Sequence, residues 1–207
     1  MAFFTDYEHQ FQSVPEDGKV ETEPFLLASL RLLPFFDMLG PTTFAMAKAD
    51  VSGNIEKVRK KYETDKEKYK TLTDIVEQEL EENGGKPGYA IDALLWLKRG
   101  LEYIHEMVKN VIASDSEGNN LCPCIQKAYK DSIKKFHPWM LQKLINLAIK
   151  AVPYRSDFLQ TVGGNKPGQS EEQIIEDLKV FEGRLRANIA AINDLLQRTD
   201  QDPDKRA

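Results

Sequence analysis

The chain has 207 residues, 41% hydrophobic and 29% charged, with a formal net charge of −5. That length suits one domain with a substantial core, and the negative balance argues against nucleic-acid binding, which rests on neutralising phosphates with basic side chains. No apolar run approaches the roughly twenty residues that span a bilayer and the first residues lack a basic stretch leading into an apolar one, so a soluble, cytoplasmic protein is expected.

Taken in order, residues 1–20 read as a loosely held N-terminal arm, 21–198 as the domain and 199–207 as a polar tail. Thr22 is placed to cap a helix that starts at Glu23 and Pro24, where a proline costs least, and runs to Leu39 before Gly40-Pro41 stops it. Pro34 inside it predicts a kink or a short break. A second helix, entered through Phe44 and Met46, continues to Tyr62, and a third is expected from about Lys66 to Glu82, ahead of the Gly-Gly-Lys-Pro-Gly88 loop. From Tyr89 to Ala113 one apolar strip (Leu94, Leu97, Leu101, Ile104, Val108, Val111) runs beside another (Ala93, Trp96, Gly100, Tyr103). A helix with two such strips must bury both, which places it between two layers of helices. A helix from about Ile125 to Val152 is kinked or restarted by Pro138 and ended by Pro153, and a short helix fits Tyr154 to Val162. Ser170 and Gln173 form a capping box for the last long helix, whose inner face carries Ile174, Leu178, Phe181, Leu185, Ile189, Ile192 and Leu196. The fold class is all-α, with about seven or eight helices.

Three side chains of the second helix, Asp50, Asn54 and Lys57, stand at i, i+4 and i+7, so they share one stripe. A carboxylate, an amide and an ammonium facing one way suit a ligand with several hydroxyl or amide groups, although a solvated ladder supporting the helix has the same spacing. Gly53 beside them lets a backbone or a ligand come close. Trp96 is either core or a flat platform for the apolar face of a sugar ring. His105 falls near the apolar face of its helix and reads as a satisfied boundary residue, whereas His137, between Phe136 and Pro138-Trp139, fits a core or a ligand-binding role equally. From Ile125 to Arg155 there are seven basic residues against Asp131 alone, a segment fit to meet an anionic surface, and Trp139 within it can anchor at a headgroup boundary. Cys122 and Cys124 are too close to pair readily and lack the further ligands of a zinc site. No nucleotide-binding glycine loop, metal-ligand spacing or nucleophile motif is present, so no enzyme, metal or cofactor is expected.

Five blocks occur together: Pro34-Phe-Phe-Asp-Met-Leu-Gly40, Lys48-Ala-Asp-Val-Ser-Gly-Asn-Ile-Glu-Lys57, Leu95-Trp-Leu-Lys-Arg-Gly-Leu101, Phe136-His-Pro-Trp139 and Pro153-Tyr-Arg-Ser-Asp-Phe158. In order and spacing the chain resembles the glycolipid transfer protein family from about Glu21 to Leu196, with fungal heterokaryon-incompatibility-type members as similar as animal ones. The resemblance implies a two-layer all-α sandwich enclosing a lipid-binding cavity, and a monomer that meets membranes transiently. It implies that Asp50, Asn54 and Lys57 hydrogen-bond the first sugar of a glycosphingolipid, that Trp96 stacks on it and that His137 bonds the ceramide amide carbonyl. Ile133, Ile145, Phe158 and Phe181 are the matching candidates for the lipid-chain cavity, and Trp139 and Tyr154 for membrane contact. Members that carry phosphorylated sphingolipids place basic residues where this chain has Asn54 and Trp96, which favours an uncharged sugar here.

A lipid with about thirty buried methylenes loses on the order of 25 kcal/mol on entering water, so a protein with a dry chamber offers a route between membranes that needs no bond chemistry. A glycolipid sensor or helical interaction protein that binds without net transfer is the alternative. Three features depart from the animal pattern or add to it. The tail has no aromatic residue to approach the headgroup. Asp92, one turn before Trp96, either reaches the sugar or faces solvent. Phe35-Phe-Asp37 resembles the core of a motif read by endoplasmic-reticulum tethers, inside a helix expected to be buried.

Overall fold

The computed structural model describes residues 8–114 and 118–202. Among them are nine α-helices: α1 (Thr22–Leu30), α2 (Leu33–Leu39), α3 (Ala45–Thr64), α4 (Leu72–Glu82), α5 (Tyr89–Ala113), α6 (Cys122–Asp131), α7 (Trp139–Ile149), α8 (Arg155–Val162) and α9 (Glu171–Arg198), with a 3-10 turn at Ile133–Phe136 between α6 and α7. The described residues contain no strand, only two isolated bridges, Glu21 with Thr71 and Asn120 with Tyr154. The helix count exceeds the sequence expectation because two expected helices are divided, one at 31–32 just ahead of Pro34 and one around Ser132 and Pro138. Pro34 sits in the first turn of α2, where its missing donor costs nothing, and α7 restarts directly behind Pro138.

Helix α5 is the centre of the all-α sandwich. It packs on α3, α9, α6 and α4, while α1 and α2 lie on α3, and α8 lies on α2 and α9. Both strips read from the sequence are buried, from Ala93 and Leu94 to Val108 and Val111, except that Trp96 is half-buried. The first turn of α5 is fixed by a buried carboxylate, since Glu79 of α4 accepts from the amides of Ala90 at 3.2 Å and Ile91 at 2.8 Å. These are donors that a helix start otherwise leaves unpaired. At Gly100 a side chain would press on Val51, whose methyl is 3.3 Å from where a Cβ would stand, so glycine here sets how closely α3 approaches α5.

Some local expectations change. Thr22 does not cap α1; its hydroxyl donates to the Tyr69 carbonyl at 2.8 Å, and Glu21 stands at the cap without a side-chain bond. Helix α4 begins at Leu72 and not near Lys66, because Thr71 and Asp74 build a reciprocal capping box there. Ser170 and Gln173 build the expected one at α9.

The arm is not loose from Phe11 onward. Phe11 is 4% exposed and lies against Phe25 of α1 and Phe181 of α9, at ring distances of 6.0 and 6.3 Å. Asn188 donates to the Gln12 carbonyl at 2.9 Å, and the amide of Leu72 donates to the Val20 carbonyl at 2.9 Å. The tail is likewise held as far as Asp202. Phe35 and Phe36 are buried in the core, which keeps both rings of the tether-like motif out of a partner's reach. No helix among the described residues is long and apolar enough to cross a membrane.

Candidate functional site

On α3, Asp50 and Lys57 are exposed and Asn54 between them is buried. The Asn54 amide donates to the Asp50 carboxylate at 3.4 Å, so the stripe read from the sequence is real on these two members. Lys57 continues the stripe at the exposed surface, one turn beyond Asn54. Nothing lies within 4 Å of where a Cβ on Gly53 would stand, so no neighbouring backbone uses that gap and the face stays open to a ligand.

The close α3–α5 packing brings this stripe to Trp96. The half-buried indole and the His137 ring are stacked with 6.3 Å between centroids and 12° between planes. His137 sits just after the 3-10 turn, where the backbone turns extended before Pro138. Its Nδ1 is 3.1 Å from the Tyr129 hydroxyl. Burial pushes the imidazole below its ordinary pKa while the Asp50 carboxylate, within electrostatic reach, pulls it up. Burial raises Tyr129 to about 12, so its hydroxyl keeps its proton. In the tautomer where that proton is given to Nδ1, neutral His137 carries its own on Nε2 and can donate it. Asp50, Asn54, Trp96 and His137 thus meet at one place, reached from α3, α5 and the turn after α6.

The sequence reading missed the floor under the indole. Arg99 is buried, with its guanidinium 5.0 Å from the Trp96 ring centroid and 3.6 Å from that of Phe136. Its Nη2 is 3.2 Å from Asp202 Oδ1, and Asp202 Oδ2 accepts from buried Lys98 at 2.6 Å. Burial works against the Asp202 charge, but its bonds to Lys98 and Arg99 win and hold the carboxyl below its usual range. Here the tail supplies an anion that clasps two cations, of which Arg99 lies against Trp96. The signal for Arg99 was the Leu-Lys-Arg-Gly run after Trp96; nothing in the tail's composition pointed to Asp202. Asp92 is exposed, in keeping with the solvent-facing alternative.

Of the chain-cavity candidates, Ile133, Phe158 and Phe181 are buried and Ile145 is partly buried against the same apolar cluster. Phe158 meets Phe35 edge-on at 5.8 Å, and Phe181 meets Phe11. Two surface clefts, of about 670 and 520 Å³, are lined mostly by polar side chains and touch none of the four. The smaller borders the Lys98–Asp202 clasp.

Trp139 and Tyr154 are 64% and 67% exposed. They have company that sequence reasoning did not assign, for Met140, Leu144 and Leu147 form a further exposed stripe along α7, and only Ile149 of that helix is buried. The Lys143 ammonium lies 4.4 Å from the Trp139 ring centroid. Arg155 does not belong to this basic surface; it is buried and paired with Glu171 at 2.6 Å and with Ser114 at 3.0 Å. His105 is a boundary residue, 2.6 Å from Glu182. Cys122 and Cys124 are free thiols, and no cluster of metal-ligating side chains occurs among the described residues.

Residues 20–164 match the profile of the glycolipid transfer protein family. The glycolipid transfer protein of Danio rerio is 38% identical over 203 residues, covering 95% of this chain and 96% of that one. Among solved structures, the GLTP-fold structure of FAPP2, described as selecting simple glycosphingolipids, aligns with a TM-score of 0.89 at 29% identity over 99% of both chains. The fungal glycolipid transfer protein HET-C2 aligns with a TM-score of 0.82 at 28% identity, over 94% of this chain and 96% of that one.

Proposed function

The chain belongs to the glycolipid transfer protein family, and from that premise we propose that it binds one glycosphingolipid with a neutral sugar headgroup and moves it between membranes. The observation that carries the reading is the stacking of Trp96 and His137 at 6.3 Å, with the Asp50 carboxylate within electrostatic reach of the imidazole and bonded to Asn54. The indole offers the apolar side of a sugar a platform, while Asp50, Asn54 and Lys57 supply acceptor and donors to its hydroxyls. His137 Nε2–H donates to the ceramide amide carbonyl, and Asp50 accepts from the amide N–H, so both polar atoms of the amide are paired once water is excluded.

The committed state of Arg99 supports a sugar over a phosphate. Its guanidinium is engaged with two aromatic rings and with Asp202, whereas phosphate recognition calls for a guanidinium turned to the ligand.

Ile133, Ile145, Phe158 and Phe181 line the chamber for the hydrocarbon chains in this reading. The protein meets the membrane through the exposed face of α7, with Trp139, Met140, Leu144 and Leu147, and through Tyr154. An exposed apolar patch rimmed by lysines suits an anionic headgroup boundary. In this reading it works as a monomer.

Transfer of fluorescent galactosylceramide between vesicles tests the reading, with Asp50→Val and Trp96→Ala in parallel and a ceramide phosphate probe as control. The native protein should move the sugar lipid and not the phosphate, and both variants should slow it by about tenfold or more. A native protein that moves neither probe would overturn the proposal.

A further inference from the structure

Tyr103 lies on the same strip of α5 as Trp96, two turns or about 10 Å further along the helix. The residue is buried, and its hydroxyl oxygen has no hydrogen-bond partner among the described residues. An unpaired buried hydroxyl is a cost that phenylalanine in the same space would avoid.

The ring has a defined place relative to the headgroup site. It meets Tyr129 edge-on, at 6.2 Å and 82°. Tyr129 in turn lies 5.8 Å from the His137 ring and spends its own hydroxyl on Nδ1. Tyr129 therefore stands between the histidine assigned to the ceramide amide and a tyrosine whose hydroxyl is unspent.

We propose that the Tyr103 hydroxyl is a binding site for a hydroxyl group on the hydrocarbon part of the ligand, close to the amide, so that the protein prefers glycosphingolipids hydroxylated on a chain. The inference rests on the glycolipid reading and sharpens it, from the class of headgroup to the class of ceramide. The added hydroxyl stands either on the acyl chain or on the sphingoid base. Either one brings a donor and an acceptor into an apolar chamber, where Tyr103 pairs with it and both groups are satisfied together.

Three glucosylceramides of equal chain length decide it: one without an added hydroxyl, one with a 2-hydroxyacyl chain and one with a 4-hydroxy base. Each is titrated against the native protein and against Tyr103→Phe. The native protein should bind one hydroxylated lipid about tenfold more tightly than the plain one, and which of the two it is identifies the chain. Tyr103→Phe should bring all three to the plain value, leaving the plain lipid's affinity and the thermal midpoint no lower than native. Equal binding of the three by the native protein, or a preference that survives in Tyr103→Phe, would overturn the inference while the carrier reading stands. Failure of the native protein to bind any of the three would remove both.

Discussion

The α3–α5 corner and the exposed face of α7 are built on opposite terms. At the corner each polar group is held by another: Asn54 by Asp50, His137 by Tyr129 and Trp96, Arg99 by two rings and Asp202. Along α7 the large side chains project from a helix of which only Ile149 is buried. The corner is shaped for one ligand, which calls for preorganisation. The α7 face offers area without direction, which suits a surface that has no fixed shape. Recognition and docking are thus separable in the molecule, and substitutions should separate them in solution.

The largest effect is expected at the corner. Trp96→Ala should weaken glycolipid binding by about thirtyfold or more, the scale for losing an aromatic anchor, while partition onto vesicles free of glycolipid stays native. Equal loss of both would break the distinction. Next comes the converse, Trp139→Ser combined with Leu147→Ser, which should lower vesicle partition by about tenfold and slow transfer with it. Headgroup affinity measured with a short-chain glycolipid should hold, and so should the melting temperature, since both side chains are exposed.

A smaller effect comes from His137. Its folded pKa lies below the unfolded value, so the unfolded chain takes up a proton first as the pH falls. The stability owed to the neutral ring is present above about 6.5 and is lost as the pH drops below it. Denaturant melts from pH 7.5 to 5 should show a slope in that window that His137→Asn flattens. Smallest of all, Lys57→Ala should cost about twofold to threefold in sugar-lipid affinity, because Lys57 lies exposed at the end of the stripe. A loss as large as that of Trp96→Ala would mean that the stripe acts through its charge.

Much of this was legible in the chain because its signals are local. The two strips of α5 and the Gly-rich loop before it mark Tyr89–Ala113 as found, and Ser170 with Gln173 marks the start of α9. Asp50 and Asn54 were readable for the same reason, since four residues on a helix is a short-range relation. What escaped depends on distant partners. Phe11 looks like a stray aromatic in a polar arm until α1 and α9 close around it, and Arg155 looks like surface charge until Glu171 and Ser114 are beside it. The composition of α7 would serve a core helix equally well, so its exposure is visible only once the rest of the fold leaves it uncovered.

The clasp of Asp202 on Lys98 and Arg99 links positions 104 and 103 residues apart. While the chain is being made, α5 leaves the ribosome long before the carboxylate that neutralises its two cations exists. The wall under Trp96 is therefore finished only after α9 has emerged and docked. A nascent chain halted short of residue 202 would hold most of its helices and still lack the finished seat for its cargo.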